Sequence, residues 1–467
     1  MRRRAFMKTV VGGAFWIPAS RIYGQTLPRL KDQVRFAAIG AGGIGYGTTN
    51  SLCSGGGTVV ALCDTDLDSK SVVRARELRP GIPVFRDYRE MFDKVGNEFD
   101  AVAISTPDHT HAYIAIESML RGYHVYLQKP LAHTVEECEL IGAVAKRTGK
   151  VLQMGNQGHP GCKRYRPMRE AALWGDILSV ESWTGKSTTR RELKEMTGSR
   201  TVSAYPKPIP FDSHYDKATW DVWCGPAPDH GYSKLFAPAK WRVWWDYGSS
   251  GIGDMGVHNL DPLITELELG MPYAVTARCA EPVTIAHPDS TEIVMKFRPN
   301  RWVPKGVTVT WRDGLDAFPA RVEGCHPKLE YANNGLLIHG SRYTTLGDSH
   351  AAPPIIIAET GKSWSAEVKA VQSEWMKKVK AVPFDTQTHY KEFIDAVRAG
   401  EPARCGSRPE VAVPFTQTLL LGLIATRYPG KELLFDAAAK RITNLPEANA
   451  YFKAPSRGVW DVRRLAG

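Results

Sequence analysis

The chain has 467 residues, of which 43% are hydrophobic and 23% are charged, a globular composition in a chain too long for one small core. The net charge is +11, but the first 24 residues hold five basic residues and no acidic one, at Arg2, Arg3, Arg4, Lys8 and Arg21. No dense basic block with interleaved aromatic residues follows, and the eight cysteines form no C-x-x-C pair, so we expect neither a nucleic-acid partner nor a metal site.

Residues 1–30 are predicted to be an export signal and a linker. The stretch RRAFMK at residues 3–8 resembles a twin-arginine signal, and the apolar run after it is too short to span a bilayer. Because twin-arginine export carries folded proteins, we expect a periplasmic protein with no membrane span once the signal is removed. The alternative interpretation is a basic, frayed N-terminus.

Residues 31–155 alternate between apolar strands and amphipathic helices. A strand from Val34 runs into a glycine-rich turn, and further strands are predicted at residues 58–64, 100–106, 124–130 and 151–158. This alternation predicts a doubly wound parallel sheet of the Rossmann type. Residues 156–467 contain strands of alternating polarity, for example at 291–298 and 306–313, which predict an α+β domain with an open mixed or antiparallel sheet.

The turn GAGGIG has the spacing of a dinucleotide-binding fingerprint. We expect a pyrophosphate to lie on the backbone of Gly40, Gly42, Gly43, Ile44 and Gly45, at the start of a helix. The second strand ends at Asp64, where a carboxylate would accept hydrogen bonds from the adenosine ribose and repel a 2′-phosphate, which favours NAD over NADP. The alternative is a glycine-rich turn in an unrelated α/β sheet.

Several stretches, taken together, resemble one known family. They are GAGGIG, STPDHTHA (Ser105–Ala112), QKP (Gln128–Pro130), GNQGH (Gly155–His159) and GDMGVHNLD (Gly253–Asp261). The family is the glucose–fructose oxidoreductase / inositol dehydrogenase (Gfo/Idh/MocA) family, and the detailed form is similar to its exported bacterial branch. The resemblance implies a nicotinamide-dependent oxidoreductase of a sugar, cyclitol or related polyol. It also implies a second domain that binds substrate and forms homodimers or tetramers.

The resemblance places the family's catalytic lysine on Lys129 and its D-x-x-x-H motif on Asp254 and His258. Residues at i and i+4 of a helix share one face, so both side chains could meet one hydroxyl. We assign His258 as the general base, Lys129 as the donor to the reacting oxygen and Asp254 as a positioning group. The alternatives are a helix N-cap for Asp254 and a buried structural histidine for His258.

Further residues are predicted to contact the cofactor because they follow strand ends or match family positions near the nicotinamide. They are Thr106, Pro107, His111, Gln128, Lys129, Asn156 and Gln157. Gln128 replaces the family's acidic residue, and we expect the loss of that charge to lower the pKa of Lys129. His109 and His159 lie equally close to strand ends, although turn hydrogen bonding is the alternative role for such histidines. One or two of five tryptophans are expected to line a pocket: Trp220, Trp223, Trp241, Trp244 and Trp245.

An exported NAD enzyme needs a tightly held cofactor that is regenerated in place. The leading hypothesis is oxidation of a secondary hydroxyl of a sugar, cyclitol or glycoside, coupled to the reduction of a second sugar. The first alternative is an NAD-dependent glycoside hydrolase or lyase that works by transient oxidation and elimination. The second alternative is a non-catalytic sugar-binding protein that holds NAD.

Overall fold

A computed structural model describes residues 33–467 apart from 186–201, 203, 280–282, 284, 289 and 315–316. The export signal predicted for residues 1–30 lies outside the described residues. No helix in the described ranges has the length and apolar character that a bilayer crossing requires.

The first part of the chain forms a six-stranded parallel sheet. Its strands are β1 (Val34–Ile39), β2 (Gly57–Cys63), β3 (Val84–Phe85), β4 (Ala101–Ile104), β5 (His124–Gln128) and β6 (Leu152–Gly155), in the order β3-β2-β1-β4-β5-β6. This is the Rossmann order, and it confirms the predicted fold of the first domain. Strands β1 and β4 are buried along their whole length because helices cover both faces of the sheet.

The helices of this domain are α1 (Ile44–Ser54), α2 (Lys70–Glu77), α3 (Tyr88–Val95), α4 (His111–Leu120) and α5 (Val135–Thr148). A capping box fixes the start of α5, because Thr134 Oγ1 accepts from Glu137 N at 3.3 Å and Glu137 Oε2 accepts from Thr134 N at 2.9 Å. The Lys129–Pro130 peptide between β5 and α5 is cis. Lys129 directly follows β5 and so lies at the carboxyl edge of the sheet, in a connection that ends at the capped start of α5.

The second sheet has nine strands and is mixed. They are β7 (Ile177–Thr184), β8 (Ala274–Cys279), β9 (Thr291–Phe297), β10 (Val307–Asp313), β11 (Asn334–Gly340), β12 (Tyr343–Gly347), β13 (Ile355–Glu359), β14 (Glu432–Asp436) and β15 (Arg441–Ile442). Strands β7 and β10 pair in parallel, and the other neighbouring strands are antiparallel. Burial alternates along β9 and β10, as the sequence pattern predicts for a sheet with one packed face.

The remaining helices connect the two sheets. They are α6 (Arg166–Glu170), α7 (Lys217–Cys224), α8 (Val257–Asn259), α9 (Asp261–Glu266), α10 (Ala366–Lys380), α11 (Thr386–Ala399), α12 (Pro409–Ala425) and α13 (Val462–Ala466), and a short hairpin is formed by β16 (Ser456–Arg457) and β17 (Trp460–Asp461). Helix α11 returns to the first sheet, where Phe393 packs in one apolar cluster with Phe36 of β1. Leu419 of α12 belongs to a larger cluster that also contains Leu127 of β5 and Ile293 of β9, so one continuous core joins the two sheets.

Candidate active site

A cavity of about 620 Å³ opens at the carboxyl edge of the six-stranded sheet. Ligands bind at this edge in doubly wound sheets, and the volume is that of an ordinary small-molecule site. One wall comes from residues that follow the strands of the first sheet, from Gly40 to Lys129. The opposite wall comes from the second part of the chain and includes Trp241, Asp254 and His350. The cavity therefore lies between the two parts that the sequence predicts to bind cofactor and substrate.

The glycine-rich turn forms the floor of one end of this cavity. A Cβ at Gly40, whose φ is 79°, would lie 2.6 Å from Ser105 O, and one at Gly45 would lie 1.7 Å from Gly40 O. Gly42, Gly43 and Ile44 line the cavity, whereas Gly45 packs beneath the turn. At Gly42 and Gly43 the turn therefore exposes bare backbone to the cavity. A pyrophosphate at the start of α1 requires such a surface.

Asp64 follows β2 and also lines the cavity. Its Oδ2 accepts from Gly42 N at 2.9 Å and its Oδ1 accepts from Asp66 N at 2.9 Å. Burial raises the pKa of Asp64 to about 6, although these two backbone donors oppose the rise. Each carboxylate oxygen has lone pairs left for a further donor, so the residue fits the predicted role towards ribose hydroxyls.

A segment of the second domain covers this end of the cavity. His214 Nδ1 lies 2.9 Å from Asp66 Oδ1, and Arg86 Nη1 donates to Thr65 O at 2.8 Å and to His214 O at 2.9 Å. The hydroxyl of Tyr215 lies 3.4 Å from Thr65 Oγ1, and the Tyr215 side chain lines the cavity. The contacts to His214 and Tyr215 were not predicted from the sequence, because they join residues about 130 to 150 positions apart.

Lys129 lies at the centre of the cavity, directly after β5. Its Nζ donates to Asp254 Oδ1 at 2.5 Å and to Asp254 O at 2.9 Å. Neighbouring Gln128 is buried and donates through Nε2 to Thr48 Oγ1 at 2.9 Å, yet it still lines the cavity. Thr106, Pro107 and Gln157 line the same region.

Asp254 and His258 are presented by an unusual helical segment. Residues Ile252–Gly256 form a π-helical turn that continues into α8, instead of the regular α-helix assumed from the i, i+4 spacing. Both side chains nevertheless line the cavity with Lys129. The His258 side chain is only 4% exposed, and its Nδ1 makes no hydrogen bond among the described residues. Single π-turns of this kind occur frequently at functional sites.

Two further charged residues complete the network around Lys129. Arg242 Nη2 lies 3.6 Å from Asp254 Oδ1, and Arg242 Nη1 lies 3.4 Å from Asp108 Oδ2. Asp108 Oδ2 also accepts from Ser249 N at 3.1 Å. Asp108 lies inside the STPDHTHA motif but was given no role from the sequence, and Arg242 was not singled out. For Arg242, the signal that could have found it is a charged residue within a stretch rich in tryptophan.

The charges and burial around Lys129 shift the pKa of Lys129, Asp254 and His258. Burial lowers the pKa of Lys129, while Asp254 opposes this decrease and Arg242 reinforces it. Burial alone would raise the pKa of Asp254, but Arg242 and Lys129 outweigh it and hold that pKa well below its usual value. Burial, then Lys129 and His350, hold the pKa of His258 well below its usual value. Near neutral pH the site thus pairs a carboxylate with a neutral imidazole that can accept a proton.

Several predicted contact residues lie behind the cavity wall. The His111 ring lies 2.9 Å from Thr106 O and 2.8 Å from Pro130 O, and so connects the ends of β4 and β5. Asn156 is buried, and its Nδ2 donates to Asp261 Oδ2 at 2.7 Å. Both residues are placed where they support neighbours that line the cavity.

His109 and His159 also lie behind the cavity wall, whereas two of the five tryptophans line the cavity. His109 is fully buried with its ring nitrogens 3.1 Å from Tyr247 O and 2.8 Å from Trp223 O, and His159 Nδ1 lies 3.0 Å from Asp261 Oδ1. Trp223 and Trp241 line the cavity. The other three lie elsewhere: Trp220 and Trp244 in a buried aromatic cluster, and Trp245 against Arg427.

Sequence comparison matches two segments to one family. Residues 34–156 match "Oxidoreductase family, NAD-binding Rossmann fold", and residues 195–296 match "Oxidoreductase family, C-terminal alpha/beta domain", both of the Gfo/Idh/MocA group. Among curated proteins, an alpha-N-acetylgalactosaminidase of Shewanella oneidensis is 31% identical over 172 residues, and a glycosyl hydrolase family 109 protein of Shewanella sp. is 36% identical over 172 residues. Each alignment covers 34% of this chain and 37% of the relative.

Solved structures share the fold over most of the chain. The WlbA dehydrogenase of Bordetella pertussis, in complex with NADH and UDP-GlcNAcA, has a TM-score of 0.56 at 16% identity and covers 86% of this chain and 98% of its own. An inositol dehydrogenase homolog of Azotobacter vinelandii, complexed with NADH and myo-inositol, has a TM-score of 0.54 at 17% identity, with coverages of 86% and 98%. The two matched segments thus resemble the domains of Gfo/Idh/MocA oxidoreductases, and the solved structures share the fold.

Proposed function

We propose that the protein is an NAD-dependent oxidoreductase that acts on a secondary hydroxyl of a sugar, cyclitol or glycoside. The observation that carries the proposal is one cavity that contains Lys129, Asp254 and His258 at one end and Asp64 with the glycine turn at the other. The family match and the NADH and sugar complexes of proteins with this fold support it.

The residues present fit a dinucleotide. The bare backbone of Gly42 and Gly43 would hold the pyrophosphate, and Asp64 would hold the adenosine ribose. Asp66 adds a second carboxylate near that ribose, and Arg86 is committed to the carbonyl oxygens of Thr65 and His214, which together favour NAD over NADP. When bound, the nicotinamide supplies the hydride acceptor for an alcohol, or the donor for a ketone.

The chain's own residues supply the proton chemistry. His258 is held neutral by burial and by Lys129, so it can accept the hydroxyl proton as general base. Lys129 Nζ donates to the reacting oxygen and stabilises the negative charge that develops there. Asp254 orients Lys129 through the 2.5 Å contact, and its carboxylate opposes the decrease that burial causes in the pKa of Lys129.

The most direct test is incubation of the purified protein with a panel of sugars, cyclitols and p-nitrophenyl glycosides while NADH fluorescence is recorded. We expect one or more of them to give NADH, and we expect Lys129→Met to abolish that signal. His339→Gln is a matched control, because His339 contacts Glu181 on the second sheet at 3.1 Å and does not line the cavity. NADH formation that survives Lys129→Met would refute the assignment, and NAD binding without any reaction would favour the non-catalytic sugar-binding protein.

We further propose that the protein holds its cofactor through many turnovers. The contacts of His214 with Asp66 and of Arg86 with two carbonyl oxygens close the chain over the adenosine end of the cavity. Free NAD is not expected in the periplasm, so retention of the cofactor would suit the proposed export. We also propose that the protein assembles as a homodimer or tetramer. Denaturation of freshly purified protein should release one NAD per chain, identified by its mass. An empty cavity after purification would contradict this proposal.

A second candidate function is glycoside cleavage by transient oxidation and elimination. Two imidazoles, His258 and His350, line the cavity beside each other, and the curated relatives carry the names of glycosidases. A net dehydrogenase needs one proton acceptor, whereas elimination needs a second proton transfer. Release of p-nitrophenol with no net NADH would select this function. Stoichiometric NADH with the glycoside intact would exclude it.

A further inference from the structure

A second histidine lies against the general base. The rings of His258 and His350 are stacked, with centroids 3.9 Å apart and planes 20° apart, and both side chains line the cavity. His258 comes from the helical segment that follows the π-turn, and His350 comes from the loop after β12. Because the rings are nearly parallel, their edges can face adjacent atoms of one substrate.

The loop that carries His350 is held in a costly conformation. Both His350 and Ala351 have positive φ, at 57° and 52°, and each such residue costs on the order of 1 kcal/mol. Gly158 permits the close approach, because a Cβ there would lie 2.6 Å from the His350 backbone. Ser349 Oγ lies 3.0 Å from His350 Nδ1, and Ala351 is 1% exposed. Packing on both sides thus fixes the ring beside His258, and strain of this kind is concentrated at functional sites.

Elimination from a glycoside requires a second proton acceptor. Once the C3 hydroxyl is oxidised, the C3 carbonyl makes the C2 proton acidic. When a base takes that proton, the C2–H electron pair forms a C1=C2 double bond. The C1–O bond then breaks, and its electrons leave with the aglycone oxygen, which takes a proton. His258 faces the hydroxyl oxygen that is oxidised, so a second group that faces C2 is needed to take the C2 proton.

We propose that His350 is this second proton-transfer group and that it accepts the proton from the carbon adjacent to the one whose hydroxyl faces His258. The inference rests on the proposed function, since it needs an oxidised sugar in the cavity. Because the two rings are 3.9 Å apart, a positive charge on one disfavours a positive charge on the other. The two proton transfers are therefore sequential, and His258 releases the hydroxyl proton before His350 takes the proton from carbon. The substrate class is a glycoside with a free hydroxyl two carbons from its anomeric carbon.

The test separates the two proton transfers by the use of a pre-oxidised probe. The probe is p-nitrophenyl 3-keto-glucoside, incubated with the full chain in D2O, and the readouts are deuterium at C2 by mass spectrometry and release of p-nitrophenol. This reaction needs no hydride transfer. NADH formed from unoxidised p-nitrophenyl glycosides, transiently on the enzyme or as a net product, is measured in parallel and reports on the proposed function. His339→Gln again serves as the matched histidine control.

The two histidine variants should have opposite effects. We expect His350→Gln to slow deuterium incorporation by about 100-fold or more, and to reduce NADH formation by a much smaller factor. His258→Gln should abolish NADH formation and leave exchange of the keto probe largely intact. Wild-type protein that does not accelerate exchange, or a His350→Gln variant that exchanges like wild type, would overturn the inference. Parallel loss of both activities in His350→Gln would do the same, because it would show that the ring only supports His258.

Chemical rescue protects the test against a folding defect. His350→Gly removes the ring and suits the positive φ, so the loop should keep its conformation. Added imidazole should restore exchange of the keto probe in this variant, and a failure of imidazole to do so would count against a proton-transfer role. If exchange depends on His350 while no glycoside gives even transient, enzyme-bound NADH, the proposed oxidation is wrong and the proton-transfer role stands.

Discussion

Removal of Arg242 is expected to destabilise the protein and disturb the site together. Its guanidinium lies 3.4 Å from Asp108 and 3.6 Å from Asp254, and the side chains of the two acids are 1% and 20% exposed. Substitution of Arg242 by Met keeps a similar length but leaves Asp108 without that cation, and Asp254 with only Lys129. We therefore expect a lower free energy of unfolding and a rise in the pKa of Asp254, since Arg242 is the main group that lowers it.

The magnitude follows from the distances. At an effective dielectric constant of about 20, two unit charges 3.5 Å apart interact by roughly 5 kcal/mol, and loss of one partner of a buried pair typically costs about 3 to 5 kcal/mol. The Arg242 side chain is 21% exposed, which favours the low end of that range. A loss of about 3 kcal/mol in a chain of this length lowers the melting temperature by about 3 °C, from an unfolding entropy of about 1 kcal/mol per degree.

A double-mutant cycle isolates the interaction. The four proteins are wild type, Arg242→Met, Asp108→Asn and the double variant, each compared by thermal unfolding monitored through tryptophan fluorescence. Asn at residue 108 keeps an oxygen that can accept from Ser249 N, so it removes charge with little change in shape. We expect the double variant to be more stable than the sum of the single losses by about 2 kcal/mol. Additivity within about 0.5 kcal/mol would refute the claim that this pair is energetically coupled.

Three further changes test the cofactor turn and the proton chemistry. Gly42→Ala puts a methyl group 3.2 to 3.3 Å from Val72, Asp64 and Ser69, and so disturbs the turn and the carboxylate that we propose to hold the cofactor. Purified protein should then bind NAD more than about tenfold more weakly. Gly47→Ala, with nothing within 4 Å of its Cβ, should keep binding and gain up to about 1 kcal/mol in stability, and equal cofactor content in both variants would contradict this. Gln128→Glu adds an anion beside Lys129, which should raise the pKa of Lys129 and move the alkaline limb of the pH–rate profile upward, and an unchanged profile would exclude the donor role. Lys129→Met removes a cation that lowers the pKa of His258. The pH midpoint for the reaction of His258 with diethyl pyrocarbonate, followed by mass spectrometry, should therefore move to higher pH. An unchanged midpoint would show that burial alone lowers this pKa.

The fold of the first domain could be predicted because its signal is local. Continuous apolar runs such as residues 34–39 and 101–104 are typical of strands buried on both faces, and Gly40 follows the first run directly while Pro107 comes soon after the second. A parallel sheet brings its strand ends to one edge, so Gly40, Asp64, Thr106 and Lys129 were expected to meet, and they line one cavity. The mixed second sheet was predicted from alternation alone, but its strand order was not.

Arg242 and His350, which enter the cavity from the second part of the chain, were not predicted from the sequence. Arg242 lies 134 positions from Asp108, and its place depends on how a tryptophan- and proline-rich segment packs over the first sheet. His350 lies on a loop between two short strands and has no periodic signal around it. Contacts of this kind are set by tertiary packing, which a pattern of nearby residues does not encode. Nor could strand position alone tell which side of a strand end faces the cavity, as His111 and Asn156 illustrate.

The charge balance of the cavity bears on why glutamine is tolerated at residue 128. Two cations, Lys129 and Arg242, lie among two carboxylates, those of Asp254 and Asp108, and the closest contact is the 2.5 Å bond from Lys129 to Asp254. An acid at residue 128 would add a third carboxylate to a buried group that is already balanced, with an added desolvation cost. The amide instead donates to Thr48 and leaves Lys129 paired with Asp254. The carboxylate that pairs with Lys129 is supplied by the π-turn, and Arg242 and Lys129 together hold the pKa of that carboxylate well below its usual value.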